Sequence, residues 1–151
     1  IGAINSPEQL TRIQGLVDSG REQGAKCWQS SQKVPGKGNW FKPTIFTDCA
    51  QSHRIVQEEV FGPVLAVQSF RTPEEALEKA NNTPYGLSGG VWTDKGSKIF
   101  KITRQLRAGV LWANTFNKFD PSSPFGGYKE SGMGREGGLH GLGAYVQLSG
   151  R

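Results

Sequence analysis

The chain has 151 residues, a formal net charge of +5, 35% hydrophobic residues and 21% charged residues. That make-up excludes a disordered polymer and suits one compact domain or a piece of a larger one. No apolar run is long enough to cross a bilayer, no charged-then-apolar leader opens the chain, and Lys and Arg alternate with Asp and Glu instead of forming a stripe. These features set aside a membrane span, a secretory signal and a nucleic-acid partner.

The first predicted element is a helix. Ser6 can cap it, Pro7 suits its first turn, Gln9 completes a capping box, and Leu10, Ile13, Leu16 and Val17 form an apolar stripe. Gly20 and Gly24 are expected to end it. Residues 31–42 read as a loop, where Lys33, Lys37 and Lys42 surround a buried pair, Trp40 and Phe41. Thr44 to Thr47 is a short strand. Val64 to Phe70 reads as a buried strand. A second helix follows, capped by Thr72, boxed by Glu75, with Ala76, Leu77 and Ala80 on one side and a stop at Asn81-Asn82-Thr83-Pro84. Leu87 to Trp92 is the next strand. Thr93 or Asp94 then caps a helix whose face is Ile99, Ile102 and Leu106, with Gly109 in its closing turn and Val110 to Ala113 as the last strand. The alternation predicts an α/β fold, a parallel βαβαβ unit with flanking helices.

The Gly-rich tail contains Gly132-Met133-Gly134-Arg135-Glu136-Gly137, which spells G-x-G-x-x-G. A dinucleotide fingerprint needs a strand before it, a helix after it and an acidic residue about twenty positions on. Tyr128 to Ser131 makes a poor strand, and no acidic residue follows Gly137. The spelling is therefore incidental, and its glycines are expected to make tight turns into a short helix. Cys27 and Cys49 fit no C-x-x-C pattern and read as reduced thiols, which suits a cytoplasmic or organelle-matrix setting. His53 and His140 have no metal-ligand spacing and read as surface or hydrogen-bonded residues, so no metal is expected. Glu58 and Glu59 are neighbours whose side chains diverge, which rules out an acid/base dyad.

Four further segments carry more. They are Gln57-Glu58-Glu59-Val60-Phe61-Gly62-Pro63-Val64, Asn81-Asn82-Thr83-Pro84-Tyr85-Gly86-Leu87, Trp112-Ala113-Asn114-Thr115 and Ser123-Pro124-Phe125-Gly126-Gly127-Tyr128-Lys129-Glu130-Ser131-Gly132. In order and spacing they closely resemble signature segments of the aldehyde dehydrogenase superfamily, across essentially the whole chain. The ending Gly137-Gly138-Leu139-His140-Gly141-Leu142 is similar to family 16 and some bacterial relatives. The resemblance implies the later part of a catalytic domain. Residues 1–62 would form a helix, loop and cofactor-contact segment, 63–114 the βαβαβ core, and 115–151 the Gly-rich tunnel segment and C-terminal helix.

Enzymes of this family oxidise an aldehyde to a carboxylic acid through a Cys thioester, with hydride passing to NAD or NADP. By resemblance, Glu59 would hold the nicotinamide ribose and Phe61 would pack beside the nicotinamide. Gln9 and Arg12 would lie near the adenosine half. Asn114, Phe116, Phe119 and Phe125 would line the tunnel for the aldehyde substrate, and Glu136 is a candidate proton relay. The family's nucleophile, general base and dinucleotide-binding domain precede the matched segment, and neither Cys27 nor Cys49 matches the nucleophile's motif. The chain is therefore expected to be inactive alone and to need the remainder of a dehydrogenase chain or a companion polypeptide. Ile1 in place of an initiator Met reads as a fragment or a processed product. Family members usually continue past Tyr145-Val146-Gln147-Leu148 into an intersubunit strand, whereas this chain stops at Ser149-Gly150-Arg151, which puts the usual homo-oligomer in doubt. The alternative reading is a non-catalytic relative used for interaction or assembly.

Overall fold

The computed structural model describes residues 1–147. It forms two compact units, Ile1–Phe70 and the chain from Arg71 onward. Leu148 and Ser149-Gly150-Arg151, on which the expectation of an altered oligomer rests, lie outside the described residues.

The first unit opens with α1, Pro7–Glu22. Ser6 caps it by accepting from the Gln9 backbone N–H at 3.2 Å. The expected capping box is only half made, because the Gln9 side chain reaches elsewhere. Gly20 does not end the helix. It lies inside α1 and is buried, where a Cβ would stand 2.8 Å from Ile55 Cδ1. Gly24, at φ +87°, is the terminator. Ala25 N–H donates to Gly20 O and Gly24 N–H to Arg21 O, both at 3.0 Å, which is the pairing of a Schellman ending.

Two short strands follow, β1 (Lys26–Gln29) and β2 (Thr44–Thr47). They pair antiparallel, with Trp28 opposite Ile45. A single turn of helix, α2 (Arg54–Gln57), leads to β3 (Val64–Ala66), which runs parallel to β2. β1 and α2 were not foreseen. Both are four residues long, too short to set up a period. The strand expected over Val64 to Phe70 stops early. Its ladder ends where β2 ends, after Val67 N–H reaches Phe46 O, and Leu65 and Phe70 are exposed rather than buried. The core lies between α1 and this sheet, built from Ile13, Leu16, Val17, Phe41, Phe46, Ile55 and Val60.

The second unit contains α3 (Pro73–Asn81), β4 (Tyr85–Gly86), β5 (Ser88–Val91), α4 (Gly96–Thr103), β6 (Val110–Ala113), β7 (Tyr128–Lys129) and α5 (Gly138–Leu142). Thr72 caps α3, and Glu75 reaches back to the Arg71 N–H at 2.7 Å. β5 and β6 are parallel, joined through α4, and β4 pairs antiparallel with β7. The chain is thus a mixed α/β fold with parallel strands, paired β2 to β3 and β5 to β6. Two local expectations are corrected. Lys95, not Thr93 or Asp94, occupies the cap position of α4, and Thr93 Oγ1 instead accepts from the Lys95 N–H. Gly109 does not close α4. It lies against the glycine loop, where a Cβ would collide with the carbonyl of Gly126.

Candidate functional site

In the first unit, the chain from Glu58 to Gly62 forms an exposed turn anchored at Glu58, Val60 and Gly62. Glu58 is paired with Arg54 at 2.6 and 3.2 Å. That hydrogen bond holds its carboxyl below the usual range, with the charges of Arg54 and Arg12 adding to the effect. Val60 is buried in the core. Gly62 is seated so closely on α1 that a Cβ would stand 2.6 Å from Ile13 Cδ1. Between these anchors Glu59 and Phe61 face outward, and Phe61 is 70% exposed.

Phe61 also sits at φ +52°. For a side chain with a Cβ this left-handed conformation costs about 1–2 kcal/mol, and such outliers gather at binding sites. Gln9 supplies the compensation from α1. Its Nε2 donates to Val60 O at 3.1 Å and to Phe61 O at 3.2 Å. Each bond contributes about 0.5–1.5 kcal/mol net, enough together to offset the strained turn. Arg12 lies one helical turn beyond Gln9 and is exposed.

In the second unit, three of the four expected tunnel residues, Phe116, Phe119 and Phe125, join one aromatic chain. Phe116 and Phe119 stand edge-on to Trp112 at 5.2 and 5.6 Å, and Phe119 stands edge-on to Phe125 at 5.1 Å. Trp112 is the buried hub. Its indole N–H donates to Lys118 O at 2.8 Å and folds the intervening loop around the ring. Phe116 and Phe119 remain more than half exposed, so the cluster presents an apolar wall. Asn114 is at φ +54° and joins the ends of β5 and β6. Its Oδ1 accepts from Thr93 N–H at 2.8 Å and its Nδ2 donates to Thr93 O at 3.0 Å.

The glycine loop closes on itself. Phe125 and Glu136 exchange two backbone hydrogen bonds of 2.7 Å. Arg135 Nη1 donates to the carbonyls of Gly127, Met133 and Gly134, and its guanidinium lies over the Tyr128 ring at 4.9 Å. Gly132, Gly137 and Gly138 all have positive φ. Only the two-residue β7 precedes the loop, so the G-x-G-x-x-G spelling marks a turn and not a phosphate cradle. The Glu136 carboxylate is exposed and borders a surface groove with Pro121, Leu139, Leu142 and Tyr145.

The model of the aldehyde dehydrogenase family matches residues 1–149. The chain belongs to the aldehyde dehydrogenase family. It is 42% identical over 140 residues to an aldehyde dehydrogenase of Enchytraeus buchholzi, covering 93% of this chain and 28% of that one. It is similar to the structure of Mycobacterium tuberculosis aldehyde dehydrogenase complexed with NAD+, with 43% identity and a TM-score of 0.90 over 97% of this chain and 31% of that one. Staphylococcus aureus betaine aldehyde dehydrogenase gives a TM-score of 0.91 at 38% identity over 96% of this chain and 30% of that one. The chain thus spans about a third or less of these relatives.

Within this aldehyde dehydrogenase segment the buried Cys49 thiol lacks a nucleophile's surroundings. Cys49 is buried, and burial pushes its pKa up, away from the thiolate that attack requires. His53 is buried as well, its Nδ1 accepting from Ala50 N–H at 3.3 Å. Among the described residues, no group of three His, Cys, Asp or Glu side chains could hold a metal, and no helix is long and apolar enough to cross a membrane. Two supporting residues went unforeseen, Trp112 as the aromatic hub and Arg135 as the clamp of the loop. The glycines around Arg135 were the available signal, because a loop so rich in them needs a long donor to tie its carbonyls.

Proposed function

We propose that this chain is the closing part of an NAD- or NADP-dependent aldehyde dehydrogenase, which oxidises an aldehyde to a carboxylic acid. The observation that carries the reading is the clamped Glu59–Val60–Phe61 turn, lying in the family's segment with an aromatic ring held outward at a strained φ. A carboxylate beside an exposed aromatic face fits a nicotinamide riboside. Glu59 would accept from the two ribose hydroxyls, and Phe61 would pack beside the nicotinamide. The nicotinamide dinucleotide, when bound, takes up the hydride that the aldehyde releases. Arg12 flanks the turn toward the adenosine half.

The Trp112, Phe116, Phe119 and Phe125 wall borders the aldehyde, favours an apolar tail and excludes water from the reacting carbon. Asn114 fixes the strand ends beneath that wall, and Glu136 is the candidate for moving protons to solvent. The nucleophile and general base come from the rest of the dehydrogenase chain. Trp28, Ile45 and Leu65 are exposed and lie side by side across β1, β2 and β3, a row suited to being covered by that remainder. The parent enzyme is proposed to work as a homo-oligomer in the cytoplasm or an organelle matrix.

The test is steady-state kinetics of the full-length enzyme with NAD+, NADP+ and a panel of aldehydes. Glu59→Gln keeps the shape but weakens acceptance from the ribose. It should raise the cofactor KM by roughly tenfold, the scale of one to two lost hydrogen bonds to a charged acceptor. An unchanged cofactor KM contradicts the assignment.

A further inference from the structure

We propose that Gln9 is a positioning residue for the cofactor turn, acting through the carbonyls of Val60 and Phe61. This rests on the dehydrogenase reading above. Three observations support it. The Gln9 backbone N–H already satisfies the Ser6 cap, so α1 does not need the side chain. The side chain crosses to residues 51 and 52 positions away, and it donates from a single Nε2 to both carbonyls. Those carbonyls flank the one bond about which the turn is strained, at Phe61 φ +52°. The buried Val60 and the close-packed Gly62 fix the ends of the turn, but neither fixes the Phe61 peptide between them. The Gln9 amide does. An N–H donor is essential at this position. A carboxylate of the same size would set oxygen against two carbonyl oxygens.

The position separates this role from a merely structural one. Gln9 is the third residue of α1, where a Glu favours the helix by reaching back to the cap and by meeting the helix dipole. Gln9→Glu therefore keeps or strengthens α1 while removing both donors to the turn. The experiment uses the full-length enzyme and compares Gln9→Glu, Gln9→Ala and Glu59→Gln. It reads the KM for NAD+, the KM for aldehyde, the thermal midpoint and, without cofactor, amide exchange at residues 60–62. The expected result for both Gln9 variants is a rise of roughly tenfold in the NAD+ KM, with the aldehyde KM held. Amide exchange in the turn should be faster before any cofactor is added, and Gln9→Glu should show no loss of thermal midpoint. If Glu59→Gln raises the NAD+ KM and the Gln9 variants do not, the positioning role is overturned and the dehydrogenase reading survives. A raised KM with unchanged exchange in the cofactor-free turn also overturns it, because Gln9 would then contact the cofactor directly. A general loss of midpoint in Gln9→Glu with all kinetic parameters shifting together assigns Gln9 to the fold alone. No effect from any of the three variants removes both readings.

Discussion

The two units hold their candidate site residues by different means. In the first, the Glu59–Phe61 turn stands on a closed hydrophobic core in which Ile13, Val17 and Phe46 are fully buried. In the second, the only buried hydrophobic residues among those described are Leu77 and Trp112, and neither is fully buried. The Phe116, Phe119 and Phe125 wall is instead held by ring edges, by the two-way hydrogen bonds of Phe125 and Glu136, and by Arg135. A cofactor common to a whole family calls for a fixed surface, whereas a wall that meets aldehydes of different shape gains from a loop that can be altered without disturbing a core. The comparison therefore predicts that stability resides mainly in the first unit and specificity mainly in the second.

The sharpest way to break that division is Phe46→Ala. Removing a fully buried aromatic ring costs about 3–5 kcal/mol, and urea titration of the protein should show it as a large fall in midpoint. Gly109→Ala tests the second unit. A Cβ driven into the Gly126 carbonyl forces a backbone shift costing about 1–3 kcal/mol, and the aldehyde KM should change while the NAD+ KM stays. A change confined to the NAD+ KM contradicts the division. The smallest expected effect is electrostatic. The Arg54 hydrogen bond lowers the folded-state pKa of Glu58, so the pair stabilises the fold above the ordinary carboxylate value of 4.5 and is lost as pH falls through the lowered one. Arg54→Met should match the parent in acid and fall slightly below it above pH 4.5, read as the thermal midpoint against pH. Both side chains are well exposed, so a large gap at neutral pH would contradict a surface pair.

Much of this was legible from the sequence where local rules act alone. The Ser6 and Thr72 caps, the Asn81 stop, the β2 and β6 strands and the turning glycines all follow from short-range sterics and hydrogen bonding. Three of the misses share one cause, a partner distant in sequence. Gln9 leaves its capping box because two carbonyls 51 and 52 residues away are better placed. Gly109 looks like a helix ending but is required by the approach of Gly126. Strand β1 becomes a strand because β2 pairs with it. The site residues carry no periodic signal at all. Glu59 and Phe61 are proposed through resemblance, and the strained φ that marks Phe61 cannot be read from its letter.

The most direct measurement is amide hydrogen exchange of the full-length enzyme with and without NAD+. Slowed exchange at residues 58–62 on adding NAD+, with residues 114–125 responding to aldehyde instead, is the result expected if the clamped turn receives the cofactor. Unchanged exchange at 58–62 under saturating NAD+ would contradict that claim.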